Sequence, residues 1–153
     1  MSLPRLMLGL LVPLVMMTFP LQAAAACGGS ADPAHIPVNV TNLRSADGFV
    51  TLTVYPDDPN RFLSSGGKLS RVRVQAVKPV TTVCLAVPGA GTYAIAVYHD
   101  ENGNRKFDRT LLGLPAEGYG FSRNPAGLIA PPSFDKVSFQ TPVSEPLTIR
   151  LTY

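Results

Sequence analysis

Tyr93-Ala94-Ile95-Ala96-Val97-Tyr98-His99-Asp100-Glu101-Asn102-Gly103-Asn104-Arg105-Lys106-Phe107-Asp108 joins two kinds of sequence end to end. Up to His99 it is rich in aromatic and β-branched residues, the composition of a pleated strand packed on at least one side. From Asp100 onward oxygen-bearing side chains fall at alternate positions, the pattern of a tight loop instead of a strand. The first half sets the fold class; the second half is the leading candidate for a site.

Similar strand patterns recur on both sides. Val38-Asn39-Val40-Thr41-Asn42-Leu43 and Phe49-Val50-Thr51-Leu52-Thr53-Val54-Tyr55 largely alternate apolar with polar residues, and Ser45-Ala46-Asp47-Gly48 between them carries the Asp-Gly signal of a hairpin. The spacing predicts that these two strands pair. Leu69-Ser70-Arg71-Val72-Arg73-Val74-Gln75-Ala76-Val77 is a third strand and Val80-Thr81-Thr82-Val83-Cys84-Leu85-Ala86-Val87 a fourth. Pro88-Gly89-Ala90-Gly91 turns into the fifth, and Leu147-Thr148-Ile149-Arg150-Leu151-Thr152-Tyr153 closes the series. Shorter strands are expected around Gly118-Tyr119-Gly120-Phe121 and Val137-Ser138-Phe139, and no stretch carries a helical period. The sum is an all-β, antiparallel β-sandwich of about seven strands, with Val, Leu and Ile facing the gap between two sheets and Thr, Arg and Asn facing water.

Residues 1–26 hold one charge, Arg5, then an apolar run broken by Pro13 and Pro20, then Ala23-Ala24-Ala25-Ala26. That layout predicts a cleaved export signal. The run falls short of the roughly 20 apolar residues that span a bilayer, so no transmembrane segment is expected after cleavage. Residues 27–37 then form a lead-in, and residues 38–153 one domain with one core. Export makes the location periplasmic or secreted. It also makes a Cys27–Cys84 disulfide the expected state of the two cysteines. The alternative is a lipid anchor on Cys27, weakened by Ala24 where lipoprotein signals carry a larger aliphatic residue.

The formal net charge is +3, and one positive unit leaves with Arg5. Basic residues are scattered singly or in pairs, which excludes nucleic acid as a partner; a cell-envelope partner stays open.

The loop after the fifth strand offers Asp100, Asn102, Asn104, the Lys106 carbonyl and Asp108 at positions one, three, five, seven and nine of a calcium-type loop. Such loops want Gly at position six and Glu at twelve, where this chain has Arg105 and Leu111. A third carboxylate then requires Glu117 to fold back. The competing reading is an Asx-rich turn in which the side chains bond their own backbone. Tyr119, Phe121 and Phe134 flank the loop as either packing residues or an open binding surface. Residues 100–136 are too long an excursion to lack structure unless they bind something or pack internally.

Three separated blocks carry a resemblance: Pro88-Gly89 with Gly91 through Asn104, Leu112 through Ser122, and Pro131-Pro132-Ser133-Phe134. In that order they resemble the bacterial domain of unknown function 2141 family. The resemblance implies an exported sandwich of the prealbumin-like or carboxypeptidase-regulatory-like kind, with no activity attached. Where that family usually reads Asn-Gly-Asn-Gly-Lys, this chain reads Asn102-Gly103-Asn104-Arg105-Lys106. The expected function is an exported, non-enzymatic binding or accessory module, with calcium as the one cofactor suggested. The rivals are a metal-dependent hydrolase built on His99, Asp100 and Glu117, and a structural part of an envelope assembly. No Gly-x-Ser-x-Gly elbow is present to support nucleophilic catalysis.

Overall fold

The computed structural model describes Cys27 and residues 34–126 and 130–153; the expected signal, residues 1–26, and most of the lead-in lie outside the described residues. Eight strands and one helical turn follow in order: β1 (His35–Thr41), β2 (Phe49–Tyr55), β3 (Ser70–Gln75), β4 (Val80–Ala86), β5 (Thr92–Asp100), β6 (Tyr119–Phe121), α1 (Phe134–Val137), β7 (Phe139–Gln140) and β8 (Leu147–Arg150). They form two sheets, β4-β1-β8 and β3-β2-β5-β6, with β7 joined to the side of β5. Among the described residues no helix is long and apolar enough to cross a membrane.

Alternation explains the stacking. Val50, Leu52 and Val54 of β2 and Ile95 and Val97 of β5 point one way; Ile36, Val38 and Val40 of β1, Val83 and Leu85 of β4 and Ile149 after them point back. Nearly all are fully buried. Each such side chain contributes roughly 1.5–3 kcal/mol by leaving water, so the gap between the sheets is the dominant source of stability. The Cys27–Cys84 disulfide, with Cα atoms 5.4 Å apart, ties Cys27 to β4.

The structure corrects three expectations. First, β1 and β2 are not a hairpin: β1 pairs with β4 and β8, while β2 pairs with β3 and β5. The Asp-Gly turn instead carries the chain from one sheet to the other. Asn42 takes a left-handed φ of 64° and Gly48 one of 64°. The Gly48 carbonyl accepts from the Ala76 N–H at 3.2 Å and the Gln75 side-chain amide at 2.8 Å. Second, β8 runs parallel to β1, although the other strand pairs are antiparallel. Alternation in a sequence fixes which face a residue takes and leaves the partner strand open.

Third, the threonines of β2 do not face water. Thr51 and Thr53 are 1% and 3% exposed. A second, smaller cluster covers that side of the larger sheet: Tyr55, Ala94, Phe121, Phe134 and Val137, with Phe62 packed against them. The long excursion after β5 therefore folds back as a partial third layer, which is the internally packed outcome expected of so long a segment.

Gly48 joins a severe steric condition to a left-handed backbone. A Cβ built there would lie 2.0 Å from the Asp100 carbonyl oxygen, on a backbone with positive φ. Gly48→Ala is therefore expected to cost at least about 2 kcal/mol, from clash and left-handed strain together. A urea unfolding curve checks this, and a loss below about 0.5 kcal/mol would contradict the packing of this turn on β5.

Candidate functional site

β5 ends at Asp100, whose side chain is fully buried. Register places Asp100 opposite Phe49 of β2, and Arg73 of β3 reaches it from the far side of that strand. The Arg73 guanidinium lies 3.3 Å from the centroid of the Phe49 ring. It donates to Asp100 Oδ2 from Nη2 at 2.9 Å and from Nε at 3.3 Å, and to the Gly103 carbonyl at 3.3 Å. The Arg105 N–H adds a third donor to the same oxygen at 3.0 Å. Asp100 Oδ1, equally buried, has no hydrogen-bond partner.

The loop then winds on its own side chains. Asn102 Oδ1 accepts the Asn104 N–H at 3.0 Å, and Asn104 Oδ1 accepts the Lys106 N–H at 2.8 Å. Both asparagine amides donate to Asp108 Oδ2 at 2.7 Å. Gly103 has φ 74° and Arg105 φ 68°. Position six is thus left-handed although arginine occupies it, so the sharp turn that glycine usually provides in calcium loops is made regardless. These bonds are also those of an Asx-rich turn.

Glu117 does fold back. It is 4% exposed, and its Oε2 accepts the Asp108 N–H at 3.2 Å. Its other oxygen, Oε1, is buried without a partner. Burial raises the Glu117 carboxyl above its ordinary value; the Asp108 N–H opposes that rise, and the charges of Asp108 and Asp100 add to it. Among the described residues no three His, Cys, Asp or Glu side chains stand together as a ready metal cluster. An ion here would need amide and backbone carbonyl oxygens as well, which is how calcium loops are built.

His99 is fully buried. Its Nε2 meets the Asp47 carbonyl at 2.8 Å and therefore carries the proton. Its Nδ1 meets the Tyr153 hydroxyl, also at 2.8 Å. That hydroxyl accepts the Arg44 N–H at 3.1 Å and, with the ring proton on Nε2, donates its own proton to Nδ1; burial pushes the Tyr153 phenol above its ordinary value. Both nitrogens are thus engaged in closing the sheet end. Next to them Arg44 donates to both oxygens of Glu101, and this hydrogen bonding holds Glu101 below the usual carboxylate range. Arg73, Arg44 and Glu101 were not picked out by sequence. Only Arg73 left a trace there, as one of two arginines two residues apart on an alternating strand.

Of the three aromatics flanking the loop, Phe121 and Phe134 belong to the buried cluster, and Tyr119 is half-buried at its margin. Tyr98, Phe107, Tyr119 and Phe121 form a run of edge-to-face contacts with centroids 5.8, 6.0 and 6.2 Å apart. Beside them a groove of about 670 Å³ opens over the outer face of the larger sheet.

No curated protein and no solved structure gives a match to this chain. A family model does, over residues 38–149, from the start of the first apolar alternation to the last strand. That span takes in both sheets, the acidic loop and the excursion, and by it the chain belongs to the bacterial family described as "Uncharacterized protein conserved in bacteria (DUF2141)".

Proposed function

We propose that this protein is a non-enzymatic binding module working outside the cytoplasm, and that its loop of Asp100, Asn102, Asn104, Lys106 and Asp108, completed by Glu117, takes a calcium ion. The observation that carries the cation reading is the pair of buried carboxylate oxygens, Asp100 Oδ1 and Glu117 Oε1, that lack any hydrogen-bond partner. An unpaired buried carboxylate oxygen is costly, and a hard cation removes that cost. The signal-like residues 1–26 and the disulfide support the compartment. The hydrolase reading would need His99 as a base, and that ring is buried with both nitrogens engaged.

Melting of chelator-treated protein against calcium tests the cation. At about a hundredfold excess over Kd, an ion bound only by the folded chain adds about 2.7 kcal/mol. The expected result is a clear rise in Tm with calcium and a smaller one with magnesium, whose octahedral shell fits this loop poorly. Extracellular calcium modules bind at about 0.1–1 mM, so a Tm unmoved at about 10 mM calcium would end the reading in favour of the structural turn.

A further inference from the structure

We infer that the groove over the outer face of the larger sheet is a binding site for an organic anion with a flat apolar body, of the aryl carboxylate class.

The groove follows from strand register. One row across the outer face runs Arg71, Thr53, Ala96, Phe121; the next runs Arg73, Thr51, Tyr98, Tyr119. Thr53 and Ala96 are short and set the floor, while Tyr98, Phe107 and Tyr119 stand up as the wall. The remaining side is the turn around Gly113 and Leu114, fixed by the Thr110 N–H to Leu114 carbonyl bond of 2.8 Å. Its volume, about 670 Å³, falls in the roughly 300–1,000 Å³ range of small-molecule sites. Aromatic walls with edge-to-face geometry favour a flat π-bearing guest.

Charge sets the other half of the specificity. Arg71 and Arg109 both line the groove, and among the described residues no Asp or Glu does. Arg71 spends its Nε on Thr53 Oγ1 at 2.9 Å, which anchors the guanidinium beside the floor. Arg109 gives one Nη to the Gly113 carbonyl at 2.9 Å and lies 5.2 Å from the Phe107 centroid. Among the described residues neither pairs with a carboxylate. Two positioned guanidiniums without acidic partners, exposed at the edge of an apolar recess, match a carboxylate on an apolar body.

The test titrates the full disulfide-bonded chain, in EDTA, with 2-naphthoate and with the neutral 2-naphthylmethanol. Running in EDTA keeps the result independent of the calcium reading. Saturable one-to-one binding of naphthoate is expected, with the alcohol weaker by about tenfold or more. The double variant Arg71→Gln, Arg109→Gln should weaken naphthoate by about tenfold and leave the alcohol unchanged. Ala96→Phe, which fills the floor, should remove both. Equal affinity for acid and alcohol would overturn the proposal, as would undiminished binding by an Ala96→Phe variant of normal Tm. So would the absence of saturable heat up to about 1 mM ligand, far above useful affinities. Should Ala96→Phe fail to fold, the exposed arginine pair still decides the matter.

Discussion

Replacing Asp100 with alanine is expected to destabilise the calcium-free protein by about 3 kcal/mol, a fall in Tm on the order of 10 °C. The carboxylate is fully buried, and its removal leaves Arg73 without its charge partner while the guanidinium is still pinned against Phe49. It also releases the Arg105 N–H, which holds the left-handed corner of the loop. Arg73→Met removes the other partner and separates two roles of Asp100. It should destabilise the chelated protein as well, because the carboxylate is then buried with only a backbone donor. Calcium should restore much of that loss, and more than it adds to the wild type, since the competing positive charge is gone. Asp100→Ala should instead abolish any calcium response. A Tm within about 1 °C of wild type for Asp100→Ala would show that the pair contributes nothing to the fold, contrary to its burial.

The second large effect concerns the disulfide. The bond closes a loop with a sequence separation of 57, which in the chain-entropy model stabilises the fold by about 4 kcal/mol. Against the 5–15 kcal/mol typical of domains, that is a major share. Replacing both cysteines with serine should therefore lower Tm by on the order of 10–15 °C, and adding reductant to the wild type should reproduce the fall. The loss should appear in a urea midpoint as well. A double serine variant within about 1 kcal/mol of wild type would mean that closing this loop contributes little to the fold.

Much of this architecture was legible because burial follows the period of two. Phe49-Val50-Thr51-Leu52-Thr53-Val54-Tyr55 named its own core face, and Val50, Leu52 and Val54 are fully buried. What the same residues could not say is which strand lies alongside. The Asp47-Gly48 turn is local and reads as a hairpin, whereas its real task is set by non-local contacts with Gln75, Ala76 and Asp100. Thr51 and Thr53 read as solvent-facing because nothing near them in sequence announces a cover. The cluster of Phe62, Phe121 and Phe134 closes over part of that face from separate segments, and Arg71 on the neighbouring strand donates to Thr53 Oγ1.

The acidic loop was legible for a related reason. Asx spacing is a local property, so the bonds among Asn102, Asn104 and Asp108 could be anticipated from the chain alone. The fold-back of Glu117 followed only from counting charges. Arg73 could not be found this way: on a strand of alternating residues, an outward arginine reads as solvated. Its reach across β2 to a buried carboxylate depends on register, which the sequence leaves free. The groove has a similar origin, for the small Thr53 and Ala96 stand in plain view, yet a shallow floor means something only once its walls are in place.

The parallel pairing of β1 with β8 has a consequence for how the molecule comes into being. Val38 lies beside Leu147 and Val40 beside Ile149, and the Asn42 side-chain amide reaches the Leu151 carbonyl at 2.8 Å. The first strand of the domain is thus completed by its eighth, so the two must meet across the whole intervening chain. Until β8 has emerged, β1 can pair only with β4, so a chain that lacks β8 leaves its oldest strand with a bare edge.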